Sequence, residues 1–260
     1  MKKTEFNETQ IKDIVERYKN GEAIMNIRKD YNVSHSTINR VLKENNVAIR
    51  GNRKHFYNED IFKKINTAEK AYWIGFITAD GYINEDRNFM RIKLQEKDKD
   101  HLYKFMKFIG GDEGMIKYEF HNITGDKQWY IEVSGKTFIK SLVELGIRQK
   151  KSSNEQWCNK IPEKYIKDYI RGIIDGDGHI SLENKRFDIC NSESLLIQLQ
   201  NFLIKEYNTS KTKIYDHCNT KRLFVTVNAT DILFDLYYKK CVSLDRKYKT
   251  VKILKQLIEL

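Results

Sequence analysis

Apolar residues recur at helical spacing in the first fifty positions. Ile11, Ile14, Val15 and Tyr18 share one helical face, and Asn20-Gly21 ends that stretch. Ile24 and Ile27 mark a second helix, Tyr31-Asn32-Val33 a turn, and Ser34 the N-cap of a third helix carrying Ile38, Val41 and Leu42. Further on the period shortens to two. Apolar and polar residues alternate from Met90 to Gln95, which puts Arg91, Lys93 and Gln95 on one strand face. Leu223, Val225 and Val227 alternate with Arg222, Phe224 and Thr226 in the same way, and Lys211, Lys213, Tyr215 and His217 share a face of a neighbouring strand.

The part of the chain after residue 65 contains a repeat. Ala71 to Gly81 and Ile170 to Gly178 are apolar helical runs, each with an inner glycine (Gly75, Gly172), and each ends in Asp-Gly before a strand-like pair. The closing aspartates, Asp80 and Asp177, are 97 positions apart. Each half continues with a hairpin, a helix (roughly 99–109 and 192–206), more strands and a second helix (roughly 137–145 and 230–238). Each ends in a basic element, Gln149-Lys150-Lys151-Ser152 and Asp245-Arg246-Lys247-Tyr248; Lys151 lies 71 positions after Asp80 and Lys247 lies 70 after Asp177. The pattern predicts two α/β halves related by a pseudo-twofold axis. The expected divisions are 1–50 for a small all-α domain, 51–65 for a basic linker, and 66–155 and 156–260 for the two halves.

The motif helices carry the candidate chemistry. Asn66 and Glu69 form a capping-box pattern before the first, and Pro162 suits the first turn of the second. Interior glycine costs a helix about 1 kcal/mol relative to alanine, so two aligned copies imply a packing purpose. Gly75 with Ala79, and Gly172 with Gly176, would let the two helices approach closely and make Asp80 and Asp177 neighbours. Paired carboxylates at the negative ends of two helices repel each other and the helix dipoles, and a divalent cation relieves both. Hard oxygen donors suit Mg²⁺, which takes one or two protein carboxylates and keeps its waters. A single Asp-Gly would read as an ordinary helix-ending turn; two copies at matched positions do not.

Charge narrows the partner. The 260 residues carry 47 bases against 36 acids, a net charge of +11, which favours a polyanion while leaving DNA, RNA and an acidic membrane open. No apolar stretch is long enough to span a bilayer, and the opening MKKTEFNETQ lacks the apolar region of a signal peptide, so a cytoplasmic location is expected. Cys158, Cys190, Cys218 and Cys241 lie too far apart for a CxxC site and read as reduced thiols; the adjacent His217 and Cys218 would face opposite sides of a strand, which argues against zinc. Abundant Lys, Asn and Ile with a single Pro fit an AT-rich bacterial or phage genome.

Trp73 to Gly81 and Ile170 to Gly178 resemble the two motif copies of LAGLIDADG homing endonucleases, and the likeness extends over roughly residues 66–255. The resemblance implies two αββαββα halves forming a saddle-shaped DNA-binding surface with the motif helices at their interface. It implies Asp80 and Asp177 as catalytic metal ligands for Mg²⁺ (or Mn²⁺), with Lys151 and Lys247 near the scissile phosphates. Lys150 competes with Lys151 for that role. Gln95 resembles a polar residue near the metals in the first half, where the second half offers Cys190 or Asn191. Thr78 departs from the family pattern by standing where an acid is common. The implied activity is double-strand cleavage of a long, pseudo-symmetric DNA target with short 3′ overhangs, in the service of intron homing. Two motifs in one chain imply a monomer.

The first fifty residues resemble the helix-turn-helix of recombinases and small repressors, which implies base contacts from His35, Ser36, Thr37, Asn39 and Arg40. Arg53 and Lys54 of the basic linker are candidates for phosphate contact, and Arg91, Lys93, Lys211, Lys213 and Arg222 for contact from the strands. The alternatives are a non-cutting DNA-binding regulator and an RNA maturase with its own intron RNA as partner. An intein is not expected, because no nucleophilic residue stands at the start and no His-Asn pair at the end.

Overall fold

The computed structural model describes residues 6–20, 22, 24–47, 55–149 and 154–258. Contacts divide the chain into two compact units, Met1–Lys54 and His55–Leu260. Among the described residues, no helix is long and apolar enough to cross a membrane.

The first unit is a three-helix cluster: α1 Glu8–Lys19, α2 Ile24–Asp30 and α3 His35–Glu44. Asn7 and Gln10 close a reciprocal capping box on α1, and the Ser34 hydroxyl accepts from the Thr37 amide to start α3. The turn between α2 and α3 is left-handed at Asn32 and closed by the Val33 amide on the Arg28 carbonyl. Ile14, Tyr18, Ile24, Ile27, Ile38, Val41 and Leu42 form its core. Arg17 ties α1 to both ends of α2 through Glu22 and Asp30.

The second unit is a duplication. Its first half runs α4 Ala68–Asp80, β1 Gly81–Asn84, β2 Phe89–Gln95, α5 Lys99–Ile109, β3 Ile116–Phe120, β4 Lys127–Ser134 and α6 Lys136–Glu144. Its second runs α7 Ile166–Asp177, β5 Gly178–Ser181, β6 Arg186–Asn191, α8 Glu193–Tyr207, β7 Ile214–His217, β8 Thr220–Val225 and α9 Ala229–Leu236, followed by α10 Asp245–Ile258. Both halves are αββαββα, as the resemblance implied. Their antiparallel sheets have corresponding orders, β1-β2-β4-β3 and β5-β6-β8-β7. Gly81 pairs with Ile92 and Gly178 with Ile189, so the ladders keep the offset of the motifs. In each sheet one face packs on helices, with Met90, Ile92 and Ile131, and with Phe187, Ile189 and Leu223, buried there. The opposite faces carry the polar residues.

The two glycines explain how α4 and α7 meet. A Cβ built on Gly75 would lie 2.0 Å from the Tyr169 carbonyl oxygen, and one on Gly172 would lie 2.1 Å from that of Tyr72. Backbone rests on backbone there, and no larger residue fits without parting the helices. One turn on, a Cβ on Gly176 would lie 2.3 Å from that of Ala79.

Four local expectations need correction. The N-cap of α4 is Thr67, whose hydroxyl accepts from the Lys70 amide; Asn66 instead accepts from the Lys70 ammonium. Pro162 precedes a single 3-10 turn over Glu163–Tyr165, and α7 starts only at Ile166. The C-terminal part of the expected linker is not a tether: Ile61, Phe62 and Ile65 enter the core of the second unit, Phe62 being 1% exposed. The strand expected from Lys211 begins at Ile214, because the Thr212 backbone carbonyl is taken by the Gln200 side chain of α8; Lys211 and Lys213 lie exposed before it.

Candidate active site

Asp80 and Asp177 close α4 and α7, both half-buried. Their proximity follows from the packing just described, since the Cβ position of Gly176 lies against Ala79 and 3.5 Å from the Asp80 amide nitrogen. Two carboxylates therefore stand at adjacent negative helix ends.

Lys247, in the first turn of α10, lies beneath them. Its ammonium donates to the carbonyls of Ile174 (2.5 Å) and Asp175 (2.8 Å), in the last turn of α7, and it is 3% exposed. Burial pushes it down to about 8, against the attraction of Asp175, Asp80 and Asp177. It stays protonated at neutral pH and offsets the helix end on which Asp177 sits. The other expected base, Lys151, and its competitor Lys150 fall outside the described residues, as do Arg53 and Lys54.

A buried polar network extends from Lys247 into the helix interface. Asp175, 1% exposed, accepts from the hydroxyls of Tyr72 and Tyr237 and from the Leu244 amide, each at 2.7 Å. Burial raises its carboxyl above the ordinary range, and Lys247 with these donors opposes the rise. The Tyr72 hydroxyl also meets Nε2 of His101, whose imidazole burial holds neutral. The corresponding position on α4 is Thr78, which donates to the Ile74 carbonyl and is hydrogen-bonded to Tyr169. A tyrosine from each helix thus reaches the partner helix's motif, meeting an acid on one side and a hydroxyl on the other.

Asn191, at the end of β6, donates to Asp177 at 2.6 Å. By ladder register its counterpart in the first half is Leu94, a buried apolar residue. Gln95 lies one position further, exposed on the opposite face, beside Glu96, Lys97, Lys127 and Gln128. The role suggested for Gln95 therefore has no counterpart to Asn191 behind it, because one step along a strand reverses the side. Of the two second-half candidates it is Asn191 that meets the carboxylate, while Cys190 faces the sheet's polar side, where burial raises its thiol.

The strand cations are organised differently in the two sheets. Arg91 pairs with Glu132 at 2.7 Å and lies over the Tyr130 ring, and Lys93 pairs with Glu119. Arg222 is held by Asp188 and lies over Phe224. Lys213 lies near the Tyr215 ring. Asp188 and Arg186 were missed from the sequence, although their alternation with Phe187 and Ile189 already placed them together on a strand face. In the three-helix unit, His35 and Ser36 are exposed at the start of α3, with Thr37, Asn39 and Arg40 half-buried behind them. Asn39 is bonded to His35, Ser36 and Thr37 to the Ser34 hydroxyl, and Arg40 approaches Glu44.

Residues 67–146 match the family described as LAGLIDADG-like domain. The chain carries a LAGLIDADG-like domain. The second half repeats its topology, offset by 97 positions at the motif aspartates and through the first hairpin. Similar proteins include the glutamine–fructose-6-phosphate aminotransferase of Methanocaldococcus jannaschii, 26% identical over 211 residues, covering 76% of this chain and 18% of that protein. The chain thus spans less than a fifth of that relative. Among solved structures, the homing endonuclease I-WcaI bound to its DNA recognition sequence is 14% identical, with a TM-score of 0.51 over 79% of this chain and 97% of that one. Full-length DUF199/WhiA from Thermatoga maritima is 16% identical, with a TM-score of 0.49 over 78% of this chain and 67% of that one. At these identities the I-WcaI likeness shows the fold: the LAGLIDADG arrangement of two sheets about two motif helices.

Proposed function

We propose that the LAGLIDADG-like unit is a divalent-metal-dependent endonuclease that cuts both strands of a specific DNA duplex, leaving short 3′ overhangs. The observation that carries this reading is the pair of half-exposed carboxylates, Asp80 and Asp177, at the abutting ends of α4 and α7 with a buried ammonium beneath them. Among the described residues, no group of three or more His, Cys, Asp or Glu is placed to hold a metal. The donor set is therefore two hard carboxylates, which fits Mg²⁺ or Mn²⁺ better than zinc, since Mg²⁺ takes few protein carboxylates. Such a cation, when bound, supplies Lewis-acid polarisation of the scissile phosphate.

The chain's own residues supply the rest. Asp80 and Asp177 would hold the cation, one from each half. Asn191 fixes the orientation of Asp177, and Lys247 offsets the α7 terminus so that a second negative group can approach. The polar faces of the two sheets, with Arg91, Lys93 and Arg222, would lie along the duplex; I-WcaI, which shares the fold, is solved bound to its DNA recognition sequence. The net charge of +11 favours that approach. The three-helix unit would grip flanking DNA through the start of α3. One chain holds both halves, so a monomer suffices.

The test is cleavage of a randomised duplex library with Mg²⁺ by the full chain and by Asp80→Asn and Asp177→Asn. Site-specific cuts by the wild type, lost in both variants, are the expected result. Specific binding without cutting under Mg²⁺ and Mn²⁺ would instead make the chain a regulator or maturase on this scaffold.

A further inference from the structure

On β6, Arg186, Asp188 and Cys190 point away from the helices, and on β8 Arg222 and Phe224 do the same. A carboxylate on such a face should be solvated, yet Asp188 is 3% exposed. What covers it is Arg222: Nε donates to Oδ2 at 2.9 Å and Nη2 lies 2.7 Å from the same oxygen as an ion pair, while Nδ1 of His179 approaches Oδ1 at 3.4 Å. The Arg222 guanidinium also lies 4.8 Å from the centre of the Phe224 ring, and that of Arg186 lies 4.9 Å from the same ring. Two guanidiniums thus share one ring, and of the two it is Arg222 that is paired with the carboxylate. On the first sheet the count is even, Arg91 and Lys93 facing Glu119 and Glu132.

Arg222 is therefore fixed in orientation without being used up. Asp188 takes the side-on edge, Nε and Nη2. The end-on edge, Nη1 with the second hydrogen of Nη2, has no protein acceptor among the described residues. An end-on guanidinium fork fits the O6 and N7 acceptors of guanine in the major groove, and a carboxylate behind it removes the entropy cost of orienting the side chain. A phosphate contact would need the charge but not this clamp.

We propose that Arg222 reads a guanine in the target half bound by the second sheet, held for that purpose by Asp188; the proposal rests on the DNA-binding reading above. Arg222 pairs with Cys190, one residue before the Asn191 that meets Asp177, so the guanine lies on the side of the target nearest the second carboxylate.

The experiment is selection of bound duplexes from a randomised library by the full chain, with Ca²⁺ as the only divalent cation so that binding is read alone. Wild type, Arg222→Ala, Arg222→Lys and Asp188→Asn are compared, each checked for an unchanged melting temperature. The wild type is expected to select an invariant guanine at one position. Arg222→Ala and Arg222→Lys should lose that preference, with affinity for the guanine-containing site falling about 5- to 150-fold and affinity for the other bases little changed. The lysine variant keeps the charge and lacks the fork, so it serves if the alanine variant does not fold. Asp188→Asn should broaden the same position. A uniform loss over all four bases, or an unaltered profile, would overturn the assignment while leaving DNA recognition intact. A wild type that selects no sequence would remove the DNA-binding reading and the proposal together.

Discussion

Asp80 and Asp177 end equivalent helices in equivalent halves, yet almost every side chain that supports Asp177 has a different counterpart near Asp80. Asn191 holds one oxygen of Asp177, and Leu94 stands in its place in the first half. Two residues before Asp177 is Asp175, with three donors and Lys247 nearby; two before Asp80 is Thr78, bonded within its own helix and to Tyr169. On the sheet faces, Arg91 lies between two acids, Glu119 and Glu132, while Arg222 has Asp188 and Arg186 lies on the Phe224 ring that Arg222 also meets. The backbone has been kept by duplication because backbone packing at Gly75 and Gly172 tolerates nothing else. The side chains around the carboxylates have diverged, and among the described residues Asn191 and the Asp175 network have no polar equivalent at Leu94 and only a hydroxyl at Thr78.

The largest expected consequence is for stability. Replacing Asp175 by Ala leaves the Lys247 ammonium buried without its nearest carboxylate and deprives two buried tyrosines and the Leu244 amide of their acceptor. Breaking a buried pair from one side costs about 3–5 kcal/mol. Thr78→Ala removes a neutral hydroxyl from the matched position and should cost about 1 kcal/mol. Urea unfolding of the two variants checks this; equal losses would mean that the Asp175 network adds nothing to the second half.

The next effect is a pH dependence. Lys247 stands at about 8 in the folded protein, against 10.5 for an ordinary lysine. Below 8 it is charged in both states and the cost of burying it is carried in full. Between about 8 and 10.5 the unfolded chain holds the proton and the folded chain does not, so this group makes stability rise with pH. The slope is on the order of 1 kcal/mol per pH unit. Comparing wild type with Lys247→Met in EDTA, from pH 7.5 to 9.5, isolates it: the gap between the two curves should change steadily over that range. Parallel curves would show that Lys247 does not titrate there.

Much of this architecture could be read before any coordinates. The duplication was visible because Asp80 and Asp177 sit at a fixed offset behind glycine-bearing helices, and the Ser34 cap because a hydroxyl before a periodic run has a local purpose. What stayed hidden depends on partners far along the chain. Nothing near Asp175 in sequence announces Tyr72 or Tyr237, which reach it from another helix of each half. Gln95 is suggested by its likeness to a polar residue near the metals, whereas ladder register decides which side it faces. Asp188 was overlooked because alternation gives a strand face but not the arginine that stands diagonally from it on the next strand.

The smallest expected effect is on catalysis, and it tests the comparison most directly. If the two carboxylates serve different strands, the one oriented by Asn191 should act faster, since a hydrogen bond to an ionised group is worth about 1.5–3 kcal/mol and holds that carboxylate in one orientation. On a duplex labelled separately on each strand, the wild type should cut the two strands at unequal rates. Asn191→Ala should slow the faster cut by about tenfold and leave the slower one nearly unchanged, bringing the rates together. Placing a donor at the matched position, Leu94→Asn, should narrow the gap from the other side, at some cost in stability because Leu94 is buried. A loss of equal size on both strands in Asn191→Ala would mean that the carboxylates act as one unit, and that the divergence of the halves reflects packing rather than a division of labour.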